Sequence, residues 1–388
     1  MCLPTHFRVA YEINPWMAKS SAVDPVRAMN QWNSLKSTLE GAGAKVEVLD
    51  PEEDGKRWPD LVFTANAAVV RNKRAYLSTF FHEQRRGETD INQKWFTSRG
   101  YEVVRDDQVP FEVPALCIMS PPRILMCLPT HFGVTYEINP WMAKENQVDL
   151  TRATNQWNQL KSTLESLGAV VEVLDPGLEG KDLPDLVFTA NAAVTRGDRA
   201  FVASFFHKER KPETDLNEKW FLQNGYQVYR DDKLPFEGSG DALFAGSDRL
   251  FAGYGPRTDL RAVEKMRRLL GKDDPFRVIA CRLVDKRFYH IDTAFCPLDG
   301  VSAIWYPGAF DAKAAENLKK ELHLIPVSEQ EACQFACNAV VVGSHVVLHA
   351  KNEALAKRLQ SYGFQAHLVD VSEFIKAGGA CKCLTLRI

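Results

Sequence analysis

Four short stretches of this 388-residue chain place ionisable and nucleophilic side chains close together. The stretch "AGGACKCLTLRI" carries Cys381 and Cys383 one residue apart after a diglycine, and "RFYHIDTAF" sets His290 two residues before Asp292. "FEGSGDALF" flanks a Gly-Ser-Gly turn with Glu237 and Asp241, and "GYGPRTDL" puts Arg257 behind a glycine-rich turn. Each type has a chemistry. A histidine near a carboxylate gains orientation and a raised pKa, which suits general acid/base work. Two carboxylates beside flexible glycines can close on a cationic ligand. An arginine fork can hold a carboxylate in bidentate fashion. The cysteines leave metal ligand, disulfide partner, nucleophile and inert buried thiol as readings. A metal site wants more ligands at regular spacing, and neither "CKC" nor the "CQFAC" at 333 to 337 has a histidine nearby. A Cys-x-Cys disulfide is strained. Singly, each stretch also has an ordinary structural reading: an acidic loop, a His/Asp hydrogen bond on a strand, or a surface arginine.

The elements that must carry these residues are arranged around a repeat. "MCLPTHFRVAYEINPWMAK" at residue 1 returns as "MCLPTHFGVTYEINPWMAK" at residue 126, and the register holds without a gap from Met1 through Glu112. Asn14 thus matches Asn139, and Asn66 matches Asn191. The copies part where "PFEVPALC" replaces the "PFEGSGDALF" that begins at Pro235, so residues 251 to 388 exist only once. The expected organisation is a partial duplicate over 1–125 and a complete domain over 126–388, with Met119 as a candidate initiator between them. Within a copy, Asp24 can cap a helix that has Pro25 in its first turn. Val26, Met29, Trp32, Leu35 and Leu39 recur at helical spacing, and Gly41 and Gly43 end the segment. "AKVEVLD", "DLVFTANAAVV", "RAYLSTF" and "YEVVRD" read as strands and "ETDINQKWFTSRG" as a helix, which gives an α/β architecture. The "RFYHIDTAF" stretch is expected as a strand, with His290 and Asp292 on one face.

A formal net charge of −2 gives no electrostatic case for nucleic acid or membrane binding. No apolar run is long enough to span a bilayer, and the start lacks a secretory signal pattern. Nine cysteines, an odd number in a long chain, fit reduced thiols better than a disulfide framework. A cytoplasmic protein is the expectation, and oligomeric state is left open, a homo-oligomer included.

Taken together and in order, "INPWM", "PDLVFTANAA", "FEGSGDALF", "GYGPRT", "RFYHIDTAFCPL", "FACNAV" and "KAGGACKCLTLRI" resemble the guanidine-modifying pentein superfamily of arginine deiminases, amidinotransferases and dimethylarginine dimethylaminohydrolases. The resemblance is greatest to cyanobacterial-type arginine dihydrolases and spans nearly all of residues 126–388. It implies a five-bladed α/β propeller over 126–388, preceded by a truncated, catalytically silent duplicate of its first two blades. It also implies that Cys383, and not Cys381, is the nucleophile that attacks the guanidinium carbon to give a covalent thiouronium. His290 would shuttle protons. Asp292 with Glu237 or Asp241 would hold the guanidinium nitrogens, and Arg257 would clamp the substrate carboxylate. A cationic substrate would itself lower the thiol pKa. Arginine deiminases place an aspartate near the position of Asn191. An amide both donates and accepts, so Asn139 and Asn191 are the residues expected to let a neutral ureido group be hydrolysed in a second step. The implied reaction is arginine plus two waters to ornithine, two ammonia and carbon dioxide, with no metal or organic cofactor. One-step release of citrulline or of a methylamine, amidinotransfer to an acceptor amine, and a non-catalytic propeller-fold binding protein are the competing readings. Their discriminators are product stoichiometry, dependence on the amine, and loss of the catalytic cysteine.

Overall fold

The computed structural model describes all residues except 14–16, 19–21, 72, 108–110 and 113–120. Asn14 and Met119 therefore lie outside the described residues. The chain divides into two compact units, Met1–Ser120 and Pro121–Ile388. The strand Arg123–Cys127 runs across position 126, so residues 121–125 belong with the second unit.

The second unit repeats one motif. It contains five three-stranded sheets, in each of which the central strand pairs antiparallel with one neighbour and parallel with the other. A helix connects each central strand to its parallel partner, because a parallel pairing needs a crossover. These helices are Leu150–Ser166, Glu213–Gln223, Leu260–Leu270, Ala312–Glu321 and Glu353–Ser361. In four sheets the leading strand comes just before the central one: Ala193–Arg196, Ala242–Ala245, Phe295–Pro297 and Val340–Val342. In the fifth, the leading strand is Leu386–Arg387, which pairs with Arg123–Cys127 from the start of the unit. Central strands are almost wholly buried, as Arg249–Tyr254 shows with Leu250, Phe251 and Ala252 at 0% exposure. The helix Leu150–Ser166 starts on Asp149, whose carboxylate accepts from Arg152 N, and buries Ala153, Trp157, Leu160 and Leu164.

The first unit holds one sheet of the same design, Ala68–Arg71, Arg74–Leu77 and Glu102–Val104, with the register of its counterpart at 193–229. Its helix Pro25–Gly41 starts where the sequence places it, with Asp24 accepting from Val26 N and Arg27 N. The apolar stripe of that helix is not covered. Leu35 is 53% exposed where Leu160 is buried, and Phe63 is 48% exposed where Phe188 is buried.

Three strand assignments are corrected. "AKVEVLD" forms only an isolated bridge, Cys2 to Leu49, whereas its counterpart Val170–Leu174 is a strand. "DLVFTANAAVV" does not run as one strand: Pro59–Val62 and Thr64–Asn66 are 3₁₀ turns, and so are Pro184–Val187 and Thr189–Asn191, with extended structure beginning at Ala68 and Ala193. "RFYHIDTAF" likewise forms a turn, Ile291–Thr293, before the strand at Phe295. The physical reason is common to the last two. These segments enter buried strands through turns whose polar side chains satisfy buried backbone groups, which a period-two pattern does not register.

Candidate active site

The chemistry sits on those entry turns. Each leading strand of the second unit is preceded by a turn that carries one distinctive group: Asn191, Asp241, Asp292, Asn338 and Cys383. Hydrogen bonds join the turns in cyclic order. Ala190 N donates to Cys383 O at 3.1 Å and Lys382 N to Asn338 O at 3.3 Å. Asn338 Nδ2 donates to Asp292 O at 3.1 Å, Ile291 N to Asp241 Oδ1 at 3.1 Å, and Ser239 Oγ to Ala190 O at 2.9 Å.

A narrow cleft opens beside these turns, and Asn139, Asp185, Asn191, Arg210, Arg257, Tyr289, His290 and Cys383 all line it. Cys383 is buried, and its Sγ lies 3.1 Å from Asn338 Nδ2 and 3.6 Å from Asp292 Oδ2. Burial, reinforced by the Asp292 carboxylate, pushes the thiol well above its ordinary pKa. The resting sulfur is therefore protonated. Burial likewise raises Asp292, whose Oδ1 has no hydrogen-bond partner. An orphaned buried carboxylate oxygen beside a thiol is a ready acceptor for a cationic N–H.

His290 Nε2 is 2.6 Å from Glu237 Oε2, so its carboxylate partner is Glu237, distant in sequence, and not the neighbouring Asp292. Burial acts to raise Glu237, but the Arg257 guanidinium and His290 outweigh it and hold this carboxyl well below the usual range. Its other oxygen accepts from Phe206 N at 3.1 Å. Arg257 donates from Nη1 to Glu237 Oε2 at 3.1 Å and from Nη2 to Ile138 O at 2.7 Å, and stacks 4.7 Å above the Tyr289 ring. Tyr289 in turn donates to Gly378 O. Gly378 adopts φ +85, and a Cβ there would lie 2.7 Å from Asn139 Oδ1, so only glycine fits against that amide.

Of the residues singled out from sequence, the structure brings Cys383, His290, Arg257, Asn139 and Asn191 to the cleft, with Glu237 and Asp292 directly behind His290 and Cys383. Asp241 is not at the cleft. Its two oxygens accept from Thr258 Oγ1 at 2.7 Å and Ile291 N at 3.1 Å, so it braces the turn after His290, and burial raises its pKa to about 6. Asn139 accepts from Trp141 N, as a turn-starting asparagine does, and donates to Ala377 O.

Four residues were not foreseen. Arg210 is buried, clamps Glu213 through two 2.7 Å bonds, and donates from Nη1 to Asn191 Oδ1 at 3.0 Å. Asn191 Nδ2 donates to Glu237 O at 3.0 Å, so both ends of this amide are fixed. Asp185 is buried with Oδ1 unpartnered, and burial raises its pKa. Asn338 and Tyr289 complete the set. The motifs "PDLVFTAN" and "FACNAV" contain Asp185 and Asn338, but nothing local marks either as more than a buried polar residue. The first unit keeps the clamp, with Arg85 and Glu88 joined at 2.8 Å, and has Asp60 and Asn66 at matching positions. Among the described residues no cluster of three or more histidine, cysteine or carboxylate side chains could hold a metal ion, and no helix is long and apolar enough to cross a membrane.

With five three-stranded sheets in place, and a thiol and a carboxylate-paired histidine lining one cleft, comparison with known proteins defines the class. The sequence profile of the eukaryotic N,N dimethylarginine dimethylhydrolase family matches residues 129–388, and the chain belongs to this family of guanidine-modifying, pentein-type hydrolases. The bifunctional arginine dihydrolase/ornithine cyclodeaminase ArgZ of Synechocystis sp. is 42% identical over 274 residues, which cover 69% of this chain and 37% of ArgZ. The chain thus spans little more than a third of that relative. A variant of the N-terminal domain of ArgZ, covalently bound to a reaction intermediate, superposes with TM-score 0.64 at 41% identity, covering 69% of this chain and 97% of that domain. The dimethylarginine dimethylaminohydrolase of Mycobacterium tuberculosis is 40% identical over 69% of this chain and 85% of its own length.

Proposed function

We propose that the second unit is a cysteine-dependent arginine dihydrolase. The observation that carries this reading is the pairing of Cys383 and His290 in one cleft with an amide, Asn191, fixed beside them. The turn-to-turn hydrogen bonds that run from 190 through 383, 338, 292 and 241 back to 190 support a further reading, that the five sheets are blades around a pseudo-fivefold axis with the site at its centre.

Asp185 with its unpartnered oxygen suits the α-ammonium of an amino acid, and Arg257 and Arg210, which line the same cleft, suit its carboxylate. Asp292 faces the guanidinium end. Binding of that cation offsets the Asp292 charge and lets Cys383 pass its proton to His290. Sulfur then bonds to the guanidinium carbon, one C–N bond breaks, and ammonia leaves with a proton from His290, whose imidazolium is stabilised by Glu237. Water, deprotonated by His290, adds to the carbon and the C–S bond breaks, giving citrulline. A second passage, with one further water, releases ammonia and ornithine and leaves the carbon as carbon dioxide. Asn191 can hold the neutral ureido group that a carboxylate would repel through its lone pairs.

The test is to incubate the protein with L-arginine and quantify ornithine, citrulline, urea and ammonia. Two ammonia per ornithine with no accumulating citrulline is the expected result; one ammonia per citrulline overturns the two-step reading. Asn191→Asp is expected to stop at citrulline, with second-step turnover reduced by at least about 100-fold. Because the family profile is that of dimethylarginine hydrolases, N,N-dimethylarginine is the second substrate to run, with dimethylamine as its product.

The first unit has matching positions for Asp185, Asn191, Arg210, Glu213 and Glu237 but none for His290 or Cys383, so we read it as catalytically silent. Removal of residues 1–120 is expected to leave kcat/KM within about twofold, since a compact unit can be lost without disturbing its neighbour's core. A large loss of activity or of folded yield would show instead that the first unit supports the second.

A further inference from the structure

Asn338 is fully buried on the turn that precedes the strand Val340–Val342, and its side chain uses all of its hydrogen-bonding capacity on the nucleophile and its surroundings. Oδ1 accepts from Cys383 N at 3.1 Å and from Ala380 N at 3.2 Å. Nδ2 donates to Asp292 O at 3.1 Å and to Cys383 Sγ at 3.1 Å. The orientation of this amide is not arbitrary. Two backbone N–H groups can be met only by the carbonyl oxygen, so the NH₂ group must face the sulfur and can only donate to it. Burial and the Asp292 carboxylate, whose Oδ2 lies 3.6 Å away, oppose a sulfur anion, whereas the Ala380 backbone N–H, the Asn338 amide and Lys382 favour it. Lys382 Nζ donates to Ser239 Oγ at 3.1 Å and Thr385 O at 3.2 Å, so among side chains Asn338 makes the direct donor contact with sulfur.

From this geometry we propose that Asn338 is the positioning residue for the nucleophile: it anchors the Ala380–Cys383 turn through its carbonyl and supplies the N–H that stabilises the Cys383 thiolate. The donated hydrogen stays on Asn338 throughout. The thiol proton passes to His290 in the same cleft, and the N–H···S hydrogen bond shortens as charge develops on sulfur. The inference deepens the cysteine mechanism above and rests on that reading, but it concerns the thiol itself and holds whichever guanidine is hydrolysed.

The test therefore uses a substrate-independent readout on the full chain: the rate of iodoacetamide alkylation at Cys383, followed by peptide mass spectrometry from pH 6 to 10. Asn338→Asp retains acceptor oxygens for the Cys383 and Ala380 N–H groups but loses the donor. It is expected to move the alkylation profile up by about 1 to 2 pH units and to slow alkylation at pH 8 by at least about tenfold. Asn338→Ala removes both functions and is expected to show at least the same shift. An unchanged profile in a folded Asn338→Asp protein overturns the proposal. If Asn338→Ala does not fold, Asn338→Asp and Asn338→Ser carry the test, the latter expected to fall between wild type and Asp. Turnover of arginine, measured in parallel, separates the two inferences: a shifted alkylation profile in a protein inactive on arginine would preserve the role of Asn338 and remove the substrate.

Discussion

Cys383→Ser is expected to lower arginine turnover by at least about 10³-fold while leaving the fold intact. The turn that carries the residue is held through its backbone, by Cys383 N to Asn338 Oδ1 and by Ala190 N to Cys383 O, and neither bond involves sulfur. A serine would fit the same space. Its hydroxyl is far harder to deprotonate than a thiol, and it would face the same burial and the same Asp292 carboxylate that already raise the thiol. Near-identical circular dichroism and thermal midpoint with turnover lost is the outcome that assigns the sulfur to chemistry. Acid-quenched wild-type protein should carry a covalent mass adduct from arginine, and the variant none. Retention of more than about a tenth of the activity would mean that sulfur does not form the reacting bond.

The second large effect concerns Arg257. Arg257→Ala is expected to destabilise the protein by about 3 to 5 kcal/mol at neutral pH and to lower kcat/KM by at least about 100-fold. Glu237 is fully buried and stays ionised through Arg257 and His290, so removing the guanidinium leaves a buried charge with one partner fewer. The sign of the pH dependence follows. A carboxyl whose folded pKa lies below its unfolded value contributes stability that is present above about pH 4.5 and is lost as pH falls through the folded value. In the variant this contribution shrinks, so wild type and variant should differ most near pH 7 and converge in acid. Chemical denaturation followed from pH 7 down to the lowest pH at which both proteins remain folded measures this; a difference that does not narrow as Glu237 protonates would remove the electrostatic explanation and leave lost packing on Tyr289.

What could be read from sequence was what is local. Asp24 caps its helix as its spacing indicates, and the repeat alone marked two related segments. The α/β alternation was legible for the same reason. What failed was equally regular. His290 and Asp292 suggested a pair because they are neighbours, yet the partner of the histidine is Glu237, 53 residues earlier. Asp241 looked like a site carboxylate because it mirrors Glu237 across a glycine turn. Its oxygens are consumed by Thr258 and the Ile291 backbone instead. Hydrogen-bond partners distant in sequence leave no trace in spacing, so the contact of Arg210 with Asn191 and those of Asn338 with Cys383 and Asp292 were invisible as well. Cys383 was separated from Cys381 only by resemblance. In space the distinction is direct: Cys383 lines the cleft, whereas Cys381 is wholly buried among apolar side chains.

The pairing of Leu386–Arg387 with Arg123–Cys127 has a kinetic consequence. It joins residues at opposite extremes of the second unit, so closing that sheet demands the longest chain loop in the unit, and contacts of large sequence separation form slowly. Cys383 lies three residues before that strand and takes its place only when the closure is made. During refolding, helices and the four sheets built from adjacent strands can recover first, and nucleophilic competence arrives with the final closure. Under the mechanism proposed above, Cys383 would be presented only once the rest of the site exists to receive it.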